Sequence, residues 1–177
     1  EGILGTGGMG EVYLVERADG LFNQSAALKV IASRDPAAWD RFSRERQVLA
    51  SLEHPGIGRL IDGGVAQDGR PFLVMEHVEG LPLTEYALEN NLGLKPRLRL
   101  FMRVCDALGH AHSRLILHRD IKPNNVLVAS DGAPRLIDFG VAALLTEVET
   151  DLRAPVTLRY AAPEQLTGAP VSVETDV

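Results

Sequence analysis

The sequence predicts an α+β fold in two lobes, a small one of five strands and one helix over residues 1–79 and a larger, mainly helical one over 80–177. Three observations carry this. β-prone runs joined by glycine turns fill the first part, the polar, Gly-ended connector Glu76-His77-Val78-Glu79-Gly80 follows, and apolar residues at helical spacing come after it.

Taken in order, Gly5-Thr6-Gly7-Gly8-Met9-Gly10 matches G-x-G-x-x-G, a spacing that dinucleotide-binding folds also use. There a helix should open at the loop, whereas Glu11-Val12-Tyr13-Leu14-Val15-Glu16 alternates and is β-prone, with a turn at Ala18-Asp19-Gly20. The reading is strand, glycine turn, strand. Such a hairpin can lay its backbone over a triphosphate, because glycines allow close approach and their N–H groups face the anion. An ordinary Gly-rich hairpin is the alternative.

Ala26-Ala27-Leu28-Lys29-Val30-Ile31 is a third strand with one cation inside an apolar run, so Lys29 needs a buried anion. The next element opens at Asp35-Pro36, a cap followed by proline at the first helical position. Phe42, Glu45, Leu49 and Leu52 fall on one face of that helix, where a carboxylate is costly unless paired. Lys29 to Glu45 is the expected pair; the alternative leaves Glu45 snorkelling at the stripe's edge with Arg44 or Arg46 in the buried role. His54-Pro55 ends the helix, and Leu60-Ile61 and Phe72-Leu73-Val74-Met75 are strands about a turn at Gln67-Asp68-Gly69-Arg70. His77 reads as exposed connector surface.

In the second lobe a short helix is expected near Leu83 to Glu89 and a longer one after Lys95-Pro96. Leu98, Phe101, Val104, Leu108, Ala111 and Leu115 recur at three and four, which is core packing. Cys105 reads as a buried structural thiol in that stripe. His110 and His112, two apart, point to different faces and make no metal pair.

The chemistry concentrates in His118-Arg119-Asp120-Ile121-Lys122-Pro123-Asn124-Asn125 and in Asp138-Phe139-Gly140. Val126-Leu127-Val128 and Arg135-Leu136-Ile137 are β-prone, and Ser130-Asp131-Gly132-Ala133-Pro134 is turn chemistry, so a hairpin should bring Asn125 and Asp138 to its open end. A carboxylate and an amide suit a hard cation such as Mg²⁺ whose octahedron is completed by phosphates. Asp120 is placed to accept a proton from a hydroxyl, and Lys122 to balance charge on a moving phosphate. The set reads as a phosphoryl-transfer site.

His-Arg-Asp-x-Lys-Pro-x-Asn followed by Asp-Phe-Gly resembles the catalytic and metal-binding loops of eukaryotic-like protein kinases, a highly specific signature, and Ala162-Pro163-Glu164 resembles the family's closing motif of the activation segment. The resemblance implies a two-lobed protein-kinase-like fold with an antiparallel small-lobe sheet and a truncated large lobe, the last residues Thr175-Asp176-Val177 opening the helix that anchors it. It implies ATP with Mg²⁺, or Mn²⁺, as cofactors. Asp120, Lys122, Lys29 and Glu45 take catalytic roles, and Asn125 and Asp138 hold the metal. Leu4, Gly5, Thr6, Gly7, Gly8, Met9, Gly10, Val12, Ala27, Lys29, Glu76, Val78 and Leu127 contact the nucleotide, with Met75 gating the space behind.

Asp120-Ile121-Lys122-Pro123-Asn124-Asn125 follows the family's Ser/Thr pattern, and the Gly-Gly-Met-Gly loop and Pro163-Glu164-Gln165 are similar to bacterial Ser/Thr kinases. The implied partner is a protein with Ser or Thr acceptors, with autophosphorylation at Thr146, Thr150 or Thr157. Arg119 would pair with a phosphorylated segment, unless Glu149 or Asp151 already supplies the charge. The family usually has Gly before the Thr of Thr157-Leu158-Arg159-Tyr160, where this chain has Val156. A pseudokinase scaffold and a small-molecule phosphotransferase are the alternatives; the first commonly loses residues kept here, and the second usually lacks the glycine hairpin and Ala-Pro-Glu.

A net charge of −6 and pI near 5.4 argue against a nucleic-acid or anionic-membrane surface. One cysteine excludes an internal disulfide, and no stretch approaches the roughly 18 apolar residues of a membrane span. The expectation is a cytoplasmic domain, free or belonging to a membrane-anchored protein. Both ends read as cut: only Ile3-Leu4 precede the glycine loop, and no terminating signal closes the chain, so a fragment is expected.

Overall fold

A computed structural model describes residues 2–7, 10–18, 23–32, 49–139 and 159–177. β1 (Gly2–Gly7), β2 (Gly10–Glu16), β3 (Ser25–Ile31), β4 (Leu60–Val65) and β5 (Pro71–Glu76) form one antiparallel sheet in the order β1-β2-β3-β5-β4. The five expected strands are therefore present. The helix expected after Asp35 lies outside the described residues except for Leu49 and Ala50, which are helical.

Between β4 and β5 the turn forms where the glycine predicts it. Gly69 takes φ +82°, its N–H reaches the Ala66 carbonyl at 2.9 Å, and Ala66 N–H reaches the Arg70 carbonyl at 2.8 Å. At Gly10 the constraint is stricter. Its φ is +134°, and an added Cβ would lie 1.9 Å from the Val30 carbonyl oxygen of the neighbouring strand. Gly10→Ala is expected to destabilise the small sheet by about 3 kcal/mol or more, from about 1–3 kcal/mol of backbone strain and a similar overlap cost. Urea unfolding of the variant against the parent checks it.

The chain leaves the first sheet at Glu76 and enters a second at β6 (Gly80–Pro82), which pairs antiparallel with β7 (Val126–Ala129), itself paired with β8 (Pro134–Leu136). The β7–β8 hairpin is the one the turn chemistry predicts, with Gly132 at φ +75°. β6 was not expected, since three residues carry no readable alternation.

α1 (Leu83–Glu89) and α2 (Leu94–His112) follow the expected order. α2 buries Leu100, Val104, Ala107, Leu108 and Ala111, and the last four join Leu52, Ile57, Ile116, Val126, Leu136 and Phe139 in one core. That face corrects the expected stripe. Leu98 and Phe101 are exposed, and Leu115 lies beyond the helix at φ +60°. Cys105 is exposed too, contrary to the buried thiol expected. The cause is a second apolar row, Leu94, Leu98, Phe101, Met102 and Cys105, beside the first; spacing alone mixes the two rows. α3 (Pro163–Thr167) and a 3₁₀ turn at Val173–Asp176 complete the described chain.

Candidate active site

The cleft lies between the two sheets, with a cavity of about 400 Å³. Of the residues expected around a nucleotide, Leu4, Gly5, Val12, Ala27, Glu76, Val78 and Leu127 line it, and so does Asp138. Thr6, Gly7 and Gly10 belong to the hairpin above without lining the cavity, and Gly8 and Met9 lie outside the described residues. The sequence reading missed Asn124, Pro82 and His77, which also line it. His77 corrects its expected exposure: it is half-buried, and its Nδ1 is shielded without a hydrogen-bond partner among the described residues. Met75 stands between this cavity and a space of about 20 Å³ lined by Leu52, Ile57, Leu73 and Phe139.

Lys29 is 5% exposed in β3, and a cation so buried in an apolar run requires a partner. The partner is Asp138, whose Oδ2 lies 2.9 Å from Nζ. Glu45, the expected partner, lies outside the described residues. Lys29, expected at the nucleotide, does not itself line the cavity; it meets the cavity-lining Asp138 across the lobes through this pair.

In the loop before β7, Asp120 Oδ2 accepts from Lys122 Nζ at 2.6 Å and from Asn125 Nδ2 at 2.9 Å. Asn125 Nδ2 also donates to the Asp120 carbonyl at 2.8 Å, which closes the loop on itself. The hairpin brings the two motifs together through its backbone, Ile137 N–H donating to the Asn125 carbonyl at 2.9 Å. Asp138 adopts φ +64°, a left-handed conformation costing about 1–3 kcal/mol for a residue with a Cβ. The ion pair with Lys29 helps to hold it.

His118 is fully buried against Phe139, ring centroids 4.6 Å apart. Its Nε2 bonds the Ile137 carbonyl at 2.9 Å and its Nδ1 the Asp120 N–H at 3.3 Å. A carbonyl only accepts and an N–H only donates, so the ring is the neutral Nε2–H tautomer. Burial agrees, pushing its pKa below the usual histidine range.

Two residues that the sequence reading gave no such role brace this loop. Asp176, buried in the last 3₁₀ turn, accepts from the N–H of His118 and of Arg119, both at 2.7 Å, and from His112 Nε2 at 2.9 Å. Gln165 Nε2 donates to the Arg119 carbonyl at 2.7 Å. These bonds to the catalytic loop have no local sequence signal, since Asp176 and Gln165 meet backbone groups far away in the chain. Across the lobes, Arg135 of β8 pairs with the Glu76 carboxylate, which also accepts from Arg59 N–H at 3.3 Å. The Glu76 side chain is thereby engaged away from the connector's backbone.

Asp138 and Asn125 offer oxygen donors of the kind Mg²⁺ takes, and a nucleotide's phosphates would have to supply the rest. Among the described residues there is no group of three or more His, Cys, Asp or Glu that could hold a metal ion.

Known proteins match this chain throughout. The family model described as "Protein kinase domain" matches residues 1–177. The serine/threonine-protein kinase PrkC of Bacillus subtilis is 35% identical over 181 residues, covering 99% of this chain and 28% of the relative. The DNA damage-responsive serine/threonine-protein kinase RqkA of Deinococcus radiodurans is 40% identical over 182 residues, covering 99% and 27%. The crystal structure of the Mycobacterium tuberculosis PknI kinase domain superposes with a TM-score of 0.74 at 35% identity, covering 99% of this chain and 67% of that one. The chain spans under a third of the curated relatives and about two thirds of the solved kinase domain. With a five-stranded antiparallel sheet over a helical second lobe and a family model matched along its full length, the chain belongs to the protein kinase family, as a kinase domain similar to those of bacterial serine/threonine kinases.

Proposed function

We propose that this chain is the catalytic part of a protein serine/threonine kinase, transferring the γ-phosphoryl group of ATP to a Ser or Thr hydroxyl of a protein. What supports it is that Asp138, which lines the cavity and pairs with Lys29, follows Ile137, whose N–H bonds the carbonyl of Asn125 in the loop where Asp120 meets Lys122 and Asn125. Residues 1–79 act as the nucleotide lobe and 80–177 as the catalytic one. Asp120 orients the acceptor hydroxyl and takes its proton as oxygen bonds to the γ-phosphorus and the bond to the β–γ bridging oxygen breaks, releasing ADP.

Lys122 offsets charge on the transferring group, and Lys29 with the amides of the Gly5–Gly10 loop steadies the phosphates. Val12, Ala27 and Leu127 are apolar walls for the base, and the backbone of Glu76 and Val78 offers it hydrogen bonds. Asn125 and Asp138 would hold Mg²⁺ or Mn²⁺, which when bound would supply positive charge to offset that of the phosphates. Glu45 is assigned to Lys29 as a further anion.

Incubating the complete protein with labelled ATP, a generic protein substrate and a panel of sugars and amines tests the reading. Label on protein Ser or Thr is expected. Label on a small molecule, or none, overturns it. Among the described residues no helix is long and apolar enough to cross a membrane, and a cytoplasmic setting, where ATP is abundant, suits the chemistry.

Regulation follows from Arg119, whose Nε is buried without a hydrogen-bond partner among the described residues. An anion from the segment after Asp138 would satisfy it, and Thr146, Thr150 and Thr157, all outside the described residues, are the candidate phosphate carriers. Phosphate at Thr146 or Thr150 by mass spectrometry is expected, and Thr146→Ala/Thr150→Ala should lower activity. Full activity without phosphate there would leave the charge to Glu149 or Asp151.

A further inference from the structure

The peptide that joins Arg119 to Asp120 is held by the side chain of Gln165 from α3 and by that of His118 in its own loop. Arg119 adopts φ +65°, which a residue with a Cβ keeps only when its surroundings impose it. Its carbonyl accepts from Gln165 Nε2 at 2.7 Å, and the N–H on the other edge of the same peptide, that of Asp120, donates to His118 Nδ1 at 3.3 Å. Rotating this peptide plane would break both bonds at once. Because the plane leads directly into the Asp120 backbone, its tilt sets where the Asp120 carboxylate stands.

Gln165 is itself oriented. Its Oε1 accepts the Ala162 N–H at 3.0 Å at the start of α3, so its NH₂ group is the end that faces Arg119. The bond crosses from the stretch containing Ala162-Pro163-Glu164 to the catalytic loop, and it ties the two by a side chain that no apolar contact could replace.

We propose that Gln165 is a positioning residue: it fixes the Arg119–Asp120 peptide so that the Asp120 carboxylate faces the acceptor hydroxyl, and it makes that alignment depend on the placement of α3. This rests on the reading of Asp120 as proton acceptor. A donor is essential at this position, and an acceptor of the same shape is not equivalent.

Gln165→Glu isolates the point, because a carboxylate can still accept the Ala162 N–H and preserve the start of α3 while presenting oxygen to the Arg119 carbonyl. In the complete protein, kcat for a Ser/Thr peptide should fall about five- to tenfold, the scale of one lost hydrogen bond and the misalignment it permits, with KM for ATP within about twofold of the parent. Hydrogen exchange of the nucleotide-free protein provides a second readout that needs no catalysis. Peptides covering 118–125 should exchange several-fold faster in Gln165→Glu, while those covering β3 and β5 should not change.

Unchanged exchange in 118–125 overturns the proposal, as does faster exchange with kcat within about twofold of the parent. A parent protein that transfers nothing would defeat the kinase reading, and exchange alone would then decide whether Gln165 holds the loop.

Discussion

Asp120→Asn in the complete protein is expected to lower kcat by about 10²- to 10⁴-fold, the usual contribution of a positioned general base, with KM for ATP almost unchanged. The geometry explains why an isosteric amide cannot substitute. Asp120 Oδ2 already faces two donors, Lys122 Nζ and Asn125 Nδ2. An asparagine must turn its one oxygen toward them, which leaves an NH₂ group, a donor with no affinity for a proton, on the side where a hydroxyl would approach. Lys122 would also lose its counter-charge. Since charge-assisted hydrogen bonds contribute about 1.5–3 kcal/mol, some loss of stability is expected as well, and rates should be compared well below the unfolding temperature. Steady-state kinetics with ATP varied at saturating peptide separate the outcomes: unaltered turnover would remove Asp120 from its assigned role, and a loss confined to KM would make it a binding residue.

The parts of this site that were legible beforehand are those whose chemistry is local. The β7–β8 hairpin follows from a five-residue turn between two β-prone runs, and once it forms, Asn125 and Asp138 lie at its open end. Lys29 was legible as a buried cation because it interrupts an apolar strand, but which anion meets it was not. Strand alternation says nothing about a partner across the cleft, and the structure gives Asp138, with Glu45 outside the described residues. Asp176 and Gln165 were illegible for a different reason. Both reach the catalytic loop by bonds to distant backbone groups, and a backbone amide has no identity in a sequence. α2 was found but its face was misjudged, because two adjacent apolar rows give the same three-and-four spacing and only one of them meets the core. The exposed Cys105 is the visible consequence.

Asp138→Asn should cost both stability and activity, and the two losses should separate when Lys29 is removed as well. Lys29 is almost wholly buried and Asp138 is about one-fifth exposed, so neutralising the carboxylate leaves a cation in the cleft with little water to replace its partner. Orphaning one member of a buried pair costs about 3–5 kcal/mol, and the partial exposure of Asp138, with Glu45 proposed as a further anion for Lys29, puts the expected loss toward the lower end. Lys29→Met with Asp138→Asn removes both charges and fills the strand position with an apolar side chain of similar length. Such replacements are frequently neutral or stabilising, so the double variant should recover most of the lost stability in urea unfolding, a coupling of about 2 kcal/mol or more in the double-mutant cycle. Activity should not recover. Lys29 is assigned to the phosphates and Asp138 to the metal, and neither task passes to methionine or asparagine. Phosphoryl transfer by the double variant should therefore remain at or below that of Asp138→Asn, although its fold is restored. If turnover returned together with stability, the pair would be a structural tie between the lobes and the phosphates would be handled elsewhere in the cleft.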